Sequence, residues 1–332
     1  MRIRPLETIT RPGLWDCDLS PDGLAVAAPY REDEGLRLGV WSTTGCNPLL
    51  SLDLPGPYRR PRFAPAATRL AALREGEEVT VWSFPEGQRL FSRGREGGAP
   101  ISDHAFGPGG EMLAIAQGDR VSLFEVTGGA YVGTVAAPAE IASLRSSPDG
   151  RLLGVGLHAG GVLVVDLEAR QTVATLPGIE QPVVTLSFHP REPWLLAATA
   201  PSFAEAGEAR ERTAHGWAHV RSYLTGEEIA RVPCDYQAVL LGEGRYVGTL
   251  TNNSRNLWVW QILPAVDIVA HIENVAPELA VERTGVETRL ATLAATPAGD
   301  LLAVAGLAWP LSVAGVLHLY AFQPEAAPQP QP

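Results

Sequence analysis

The sequence predicts an all-β chain folded as a seven-bladed β-propeller, each blade a four-stranded antiparallel sheet. Three observations predict it. A turn of one kind recurs seven times along the 332 residues. Two short apolar runs follow each turn. The two chain ends hold complementary parts of a single blade.

The turn reads SPDG at Ser20, APAA at Ala64, GPGG at Gly107, SPDG at Ser147, HPRE at His189, LGEG at Leu241 and TPAG at Thr296. Its second positions (21, 65, 108, 148, 190, 242 and 297) are 44, 43, 40, 42, 52 and 55 residues apart. Four of these spacings match one propeller blade, and the two long ones contain insertions at 201–216 and 273–287. After the turn comes a first apolar run such as LAVAA or LLGVGL, then a second such as LGVWS, VTVWSF or VLVVDL. Nearly continuous apolar runs of this length suit strands covered on both faces, as in blades stacked around a ring. A shorter strand such as QTVATL closes most units.

The copies around Ser147 and Ser20 resemble the WD-repeat family of propellers, and the resemblance spans nearly the whole chain. Ser-Pro-Asp-Gly turns also occur in TolB-like and prolyl-oligopeptidase-like propellers. The departures are specific. No Gly-His pair precedes the first strand, and the Trp-Asp that ends the third strand is replaced by Trp41-Ser42, Trp82-Ser83, Trp260-Gln261 and Tyr320-Ala321. Val165-Asp166 keeps the acid without the aromatic, and Trp15-Asp16 lies in a first strand. The family's His-Ser-Asp-Trp hydrogen-bond network is therefore expected to be absent, leaving apolar packing between blades to hold the ring.

The last unit offers strands near 288–295, 301–306 and 313–322 but no fourth. The unassigned segment RIRPLETI, residues 2–9, is expected to supply it, joining the chain ends and leaving only short outer edges. A single domain over 1–322 follows, with a Pro-rich disordered tail over 323–332. Residues 301–322 carry no formal charge and are long enough to cross a bilayer. Gly306, Pro310 and Gly315 oppose a helix there and basic flanks are missing, so the stretch is read as the middle strands of the last blade, not as a membrane span.

Composition bounds the function. The net charge is −11 and all 26 basic residues are Arg. Lysine chemistry is excluded, and so is broad binding to a nucleic-acid backbone, which needs clustered positive charge. A chain without Lys fits a GC-rich bacterial genome. Cys17, Cys46 and Cys234 have neither zinc nor disulfide spacing, and the N-terminus has no apolar signal core. The chain is expected to be cytoplasmic, its cysteines small buried residues.

Chemical motifs read as structure. Gly154-Val-Gly156-Leu-His158 approaches a dinucleotide fingerprint, but the strand GGVLVVDL follows where the fingerprint needs a helix. His215 and His219 are four apart, which on a strand separates them by about 13 Å. The acidic pairs Asp33-Glu34, Glu77-Glu78 and Glu227-Glu228 read as solvated turn charges. No nucleophile elbow is present, so no catalytic residue, cofactor or metal is expected.

A partner surface is more legible. In an up-and-down blade the b–c and d–a connections share one face of the ring. That face collects the b–c insertion PSFAEAGEARERTAHG, the d–a insertion ENVAPELAVERTGVE, and the b–c loops PYREDEG and GLAWPLSVAG. Phe203 and Trp309 are the candidate aromatic anchors, with Arg31, Arg210 and Arg212 as polar contacts. The bland alternative makes AEAGEARER a short solvated helix and packs Trp309 over its own blade. The expected function is a non-catalytic scaffold for protein partners. The alternatives are an enzyme or small-ligand binder using the central channel, where Asp16, Asp18, Ser102, Asp103 and Ser143 would converge, or a subunit of a multi-enzyme complex.

Overall fold

The computed structural model describes residues 2–14, 16–33, 35–206, 209–214, 216–251, 256–263, 265–272, 291–306 and 314–323. For residues 2, 202–206, 209–214, 251, 291 and 314 it describes the backbone alone. Seven four-stranded antiparallel sheets and one two-stranded sheet make up the described fold, a seven-bladed β-propeller. Blades one to six cover 18–54, 58–94, 101–136, 141–176, 183–234 and 238–272. Strand order within each follows the chain, inner strand first.

Blade seven closes the ring. Its inner strands are Ala291–Ala295, Leu301–Gly306 and Ala314–Gln323, and the outer strand is Arg2–Pro12 from the other chain end. The pairing runs from Arg2 opposite Gln323 to Pro12 opposite Ala314, with an irregularity between Pro5 and Thr8. The closing strand is thus longer than residues 2–9. Pairing with Arg2 also carries the last strand to Gln323, so the tail expected from 323 starts no earlier than 324; residues 324–332 lie outside those described. Among the described residues no helix is long and apolar enough to cross a membrane, and the apolar stretch 301–322 contributes two adjacent strands.

The core is distributed between blades. Seven apolar clusters each join one blade to the next. Leu38 and Val40 of blade one meet Phe63 and Trp82 of blade two; around the ring, Ile9, Leu317 and Leu319 of blade seven meet Val26, Ala28 and Trp41 of blade one. Strands covered on both faces explain the apolar runs, and each Leu or Val so buried contributes about 1.5–3 kcal/mol. Trp41, Trp82 and Trp260 are buried where the WD-repeat pattern has its tryptophan. The Trp260 indole donates to Thr249 Oγ1 at 2.9 Å, a contact within its own blade. Asp166 instead caps its turn, accepting the N–H groups of Glu168 and Ala169.

The recurring turns are built by their own side chains. Ser20 and Ser147 hydroxyls each donate to the turn Asp at 2.5 Å and accept the N–H of Ala25 or Leu152 at 2.9 Å. At His189 the ring Nδ1 instead accepts the N–H groups of Arg191 and Glu192, within the turn itself. Gly150 has φ +74°, and a Cβ there would lie 2.6 Å from the Gly107 carbonyl oxygen of the preceding blade's turn. Glycine recurs because the turn needs left-handed backbone and because neighbouring turns touch. The Gly154–Gly156 stretch is a strand, Leu152–Leu157, followed by another, Val162–Asp166.

Candidate functional site

The inner strands of a propeller surround its axis, and side chains two residues apart on a strand share a face. Five residues before the second turn position stand Asp16, Arg60, Asp103, Ser143, Thr185, Gln237 and Thr292. This position is polar in every blade. Three residues before it stand Asp18, Arg62, Ala105, Arg145, Ser187, Val239 and Ala294. These positions line a channel: the first set bounds a cavity of about 120 Å3, and the second extends into one of about 90 Å3 that opens among the turn prolines Pro21, Pro65, Pro148 and Pro297. In blades two to five the inner strand is bulged just before the first set, between Arg59 and Arg62, Ile101 and Asp103, Ile141 and Ser143, and Val183 and Thr185. A bulge re-aims the side chain that follows it.

The carboxylates tie blades together. Asp16 accepts the N–H of Cys17 at 2.8 Å and, from blade two, that of Arg60 at 2.7 Å. Asp18 accepts the N–H of Phe63 at 2.9 Å and faces the Arg145 guanidinium at 3.5 Å. Asp103 accepts the N–H groups of His104 and, from blade four, Leu144, and pairs with Arg60 at 2.5 Å. Hydroxyls continue the pattern, Ser143 donating to the Val183 carbonyl at 2.7 Å and Thr185 to that of Tyr236 at 2.8 Å.

Burial sets the electrostatics. It pushes the Asp16 carboxyl above the usual carboxylate range, against Arg62 and the two N–H bonds. Burial acts the same way on Asp103, but the Arg60 and Arg62 guanidinium groups and the Leu144 N–H bring it below that range. His104 lies behind Asp103, fully buried, and burial lowers its pKa to about 4 despite the neighbouring carboxylate. The Asp103 and Asp18 side chains are 1% and 5% exposed, whereas Arg60 and Arg145 are 28% and 31% exposed. The lumen therefore presents guanidinium groups, with the Asp18 and Asp103 carboxylates sealed in the wall behind them and Asp16 half-buried beside them.

Of the channel residues expected from sequence, Asp16, Asp18, Asp103 and Ser143 line the cavity. Ser102 does not: it sits at the bulge, its hydroxyl enclosed and without a hydrogen-bond partner among the described residues. The three arginines and the Thr, Ser and Gln side chains of blades five to seven were missed. Aligning the seven turns and reading three and five residues back would have found them.

The partner-surface residues are placed differently. The blade-five insertion is a hairpin, Ser202–Ala206 with Ala209–Ala214, and not a helix. Ala, Glu and Arg favour helix locally, but cross-strand pairing wins here. Its register sets Phe203 opposite Arg212 and Glu205 opposite Arg210, so three of the five expected residues share one element. Arg31 is exposed, but it lies in the strand Ala25–Glu32 opposite Leu36, because the first blade's b–c connection is a tight turn and not a loop. Trp309, the rest of 307–313, and the 273–287 insertion lie outside the described residues.

Four of the remaining chemical candidates, His219, Glu228, Glu77 and Glu78, have structural partners. His219 Nδ1 lies 2.8 Å from Glu228, while Glu77 pairs with Arg95 and Glu78 with Arg74. These acids are thus paired rather than simply solvated; His215 lies outside the described residues. Among the described residues no group of three or more His, Cys, Asp or Glu is arranged to hold a metal ion. Cys17 and Cys234 are buried and Cys46 half-buried, and among the described residues none forms a disulfide. No protein-family model matches the chain, and no curated protein matches it.

Proposed function

We propose that this propeller is a non-catalytic platform, WD-repeat-like in its use, that holds a protein partner on the face of its b–c and d–a connections. The observation that carries the reading is the blade-five hairpin. The chain leaves the blade after Trp194–Thr199, forms a separate two-stranded sheet, and re-enters at Gly216–Ser222. Such an excursion adds nothing to ring closure, and connections longer than a turn requires are where recognition concentrates. It carries Phe203, Arg210 and Arg212, residue types that dominate interface energetics. The channel carboxylates support a non-catalytic role, since their oxygens are engaged by backbone N–H groups and arginines, not poised for proton transfer. Cys17, Cys46 and Cys234, none of them in a disulfide among the described residues, are consistent with a reducing, cytoplasmic setting.

The test is affinity purification from the native host with wild-type bait and with R210E/R212E. The variant is expected to melt as wild type does and to lose the stoichiometric partner. Equal recovery of that partner on both baits would remove the hairpin from the account.

A further inference from the structure

We propose that the central channel binds a small oxyanion, the carboxylate or phosphate of a compact hydroxylated molecule, with Arg62 as its anchor. This does not rest on the loop-face reading, since the channel and the hairpin are separate elements.

Arg62 carries the argument. A guanidinium has five N–H donors. Here Nη1 donates to the neighbouring Pro61 carbonyl at 3.2 Å, and Nε is enclosed with no hydrogen-bond partner among the described residues. Among the described residues no carboxylate comes within 4.0 Å of Arg62, unlike Arg60 and Arg145, which pair with Asp103 and Asp18. Its charge is nonetheless held: burial opposes it, but Asp103, Asp18 and Asp16 together raise its pKa. A buried charged donor left unsatisfied is costly, and the planar fork matches a two-oxygen acceptor.

The surroundings define the rest of the ligand. Arg62 lines both halves of the channel, so an anion bound there is reachable from either. Across the lumen, Ser187, Gln237 and Thr292 line the same cavity, and among the described residues their side chains make no hydrogen bonds. They are free to meet hydroxyl groups. Three carboxylates offset three guanidinium groups, so the wall carries no net charge and disfavours a polyanion; the attraction for a small anion is local, at the guanidinium that no carboxylate contacts among the described residues. A cavity of about 120 Å3 admits a compact molecule only.

The test titrates the full chain calorimetrically with inorganic phosphate and with glycolate, against sodium chloride at matched ionic strength. At least one probe is expected to saturate at one site per chain; phosphate alone assigns a phosphoryl group, glycolate alone a carboxylate. R62Q should weaken that binding at least tenfold. R62K keeps the charge but loses the fork, and should also weaken it, which preserves the test if R62Q folds poorly. R191Q, which removes an exposed ion pair with Glu243, should bind as wild type. Binding of neither probe above the chloride control, or unchanged binding by both Arg62 variants, overturns the proposal.

Discussion

At Asp103 one carboxylate satisfies two backbone N–H groups from two blades and neutralises an arginine. Truncating one partner of such a cluster leaves the others buried and unpaired, which typically costs about 3–5 kcal/mol. D103A is therefore expected to lose about that much in urea unfolding, and D103N, which keeps the shape, distinctly less. His104 gives the ring a pH dependence of definite sign. Its folded pKa of about 4 lies below the ordinary value of 6.5, so the unfolded chain binds the extra proton. Stability from this group is complete above pH 6.5 and is lost as pH falls toward 4, amounting to about 3 kcal/mol at ~1.4 kcal/mol per pH unit. H104L should flatten the change in urea midpoint between pH 7 and pH 4.5; a variant with the full wild-type slope would contradict the assignment.

The turns and the strands they join were legible because their constraints are local. A left-handed residue, a short polar side chain and a proline identify the turn without any knowledge of its neighbours. Gly150 separates the two reasons for glycine. Gly128 also has positive φ, but a Cβ there would meet nothing within 4 Å, whereas at Gly150 it would meet the Gly107 carbonyl. G128A is expected to cost about 1 kcal/mol from backbone strain, and G150A about 3 kcal/mol or more. Equal costs in thermal melts would deny the contact between turns. The hairpin was hidden for the opposite reason: AEAGEARER has helix-forming composition, and only its place between two strands of a blade makes a hairpin the shorter return. Arg60 and Arg62 were hidden too, because YRRPRF taken alone reads as a solvated basic segment. Their channel position emerges only when seven degenerate units are put in register.

The whole ring depends on contacts distant in sequence. Every interface between blades is an apolar cluster of similar build, and the one between blades seven and one draws on both chain ends. No Trp-His-Asp relay reinforces the described blades, so stability rests on this packing, on the carboxylate ties along the channel and on a single closing strand. Ile9 is buried in that strand, and Leu6 packs against the same cluster. Without the strand, Ala314–Gln323 becomes an exposed edge and the interface it seals opens. The most direct measurement is thermal unfolding of a chain lacking residues 1–12, followed by circular dichroism and intrinsic fluorescence together. The ring account predicts a broad, non-coincident transition at a melting temperature at least ten degrees lower. A sharp, coincident transition at the wild-type temperature would contradict it.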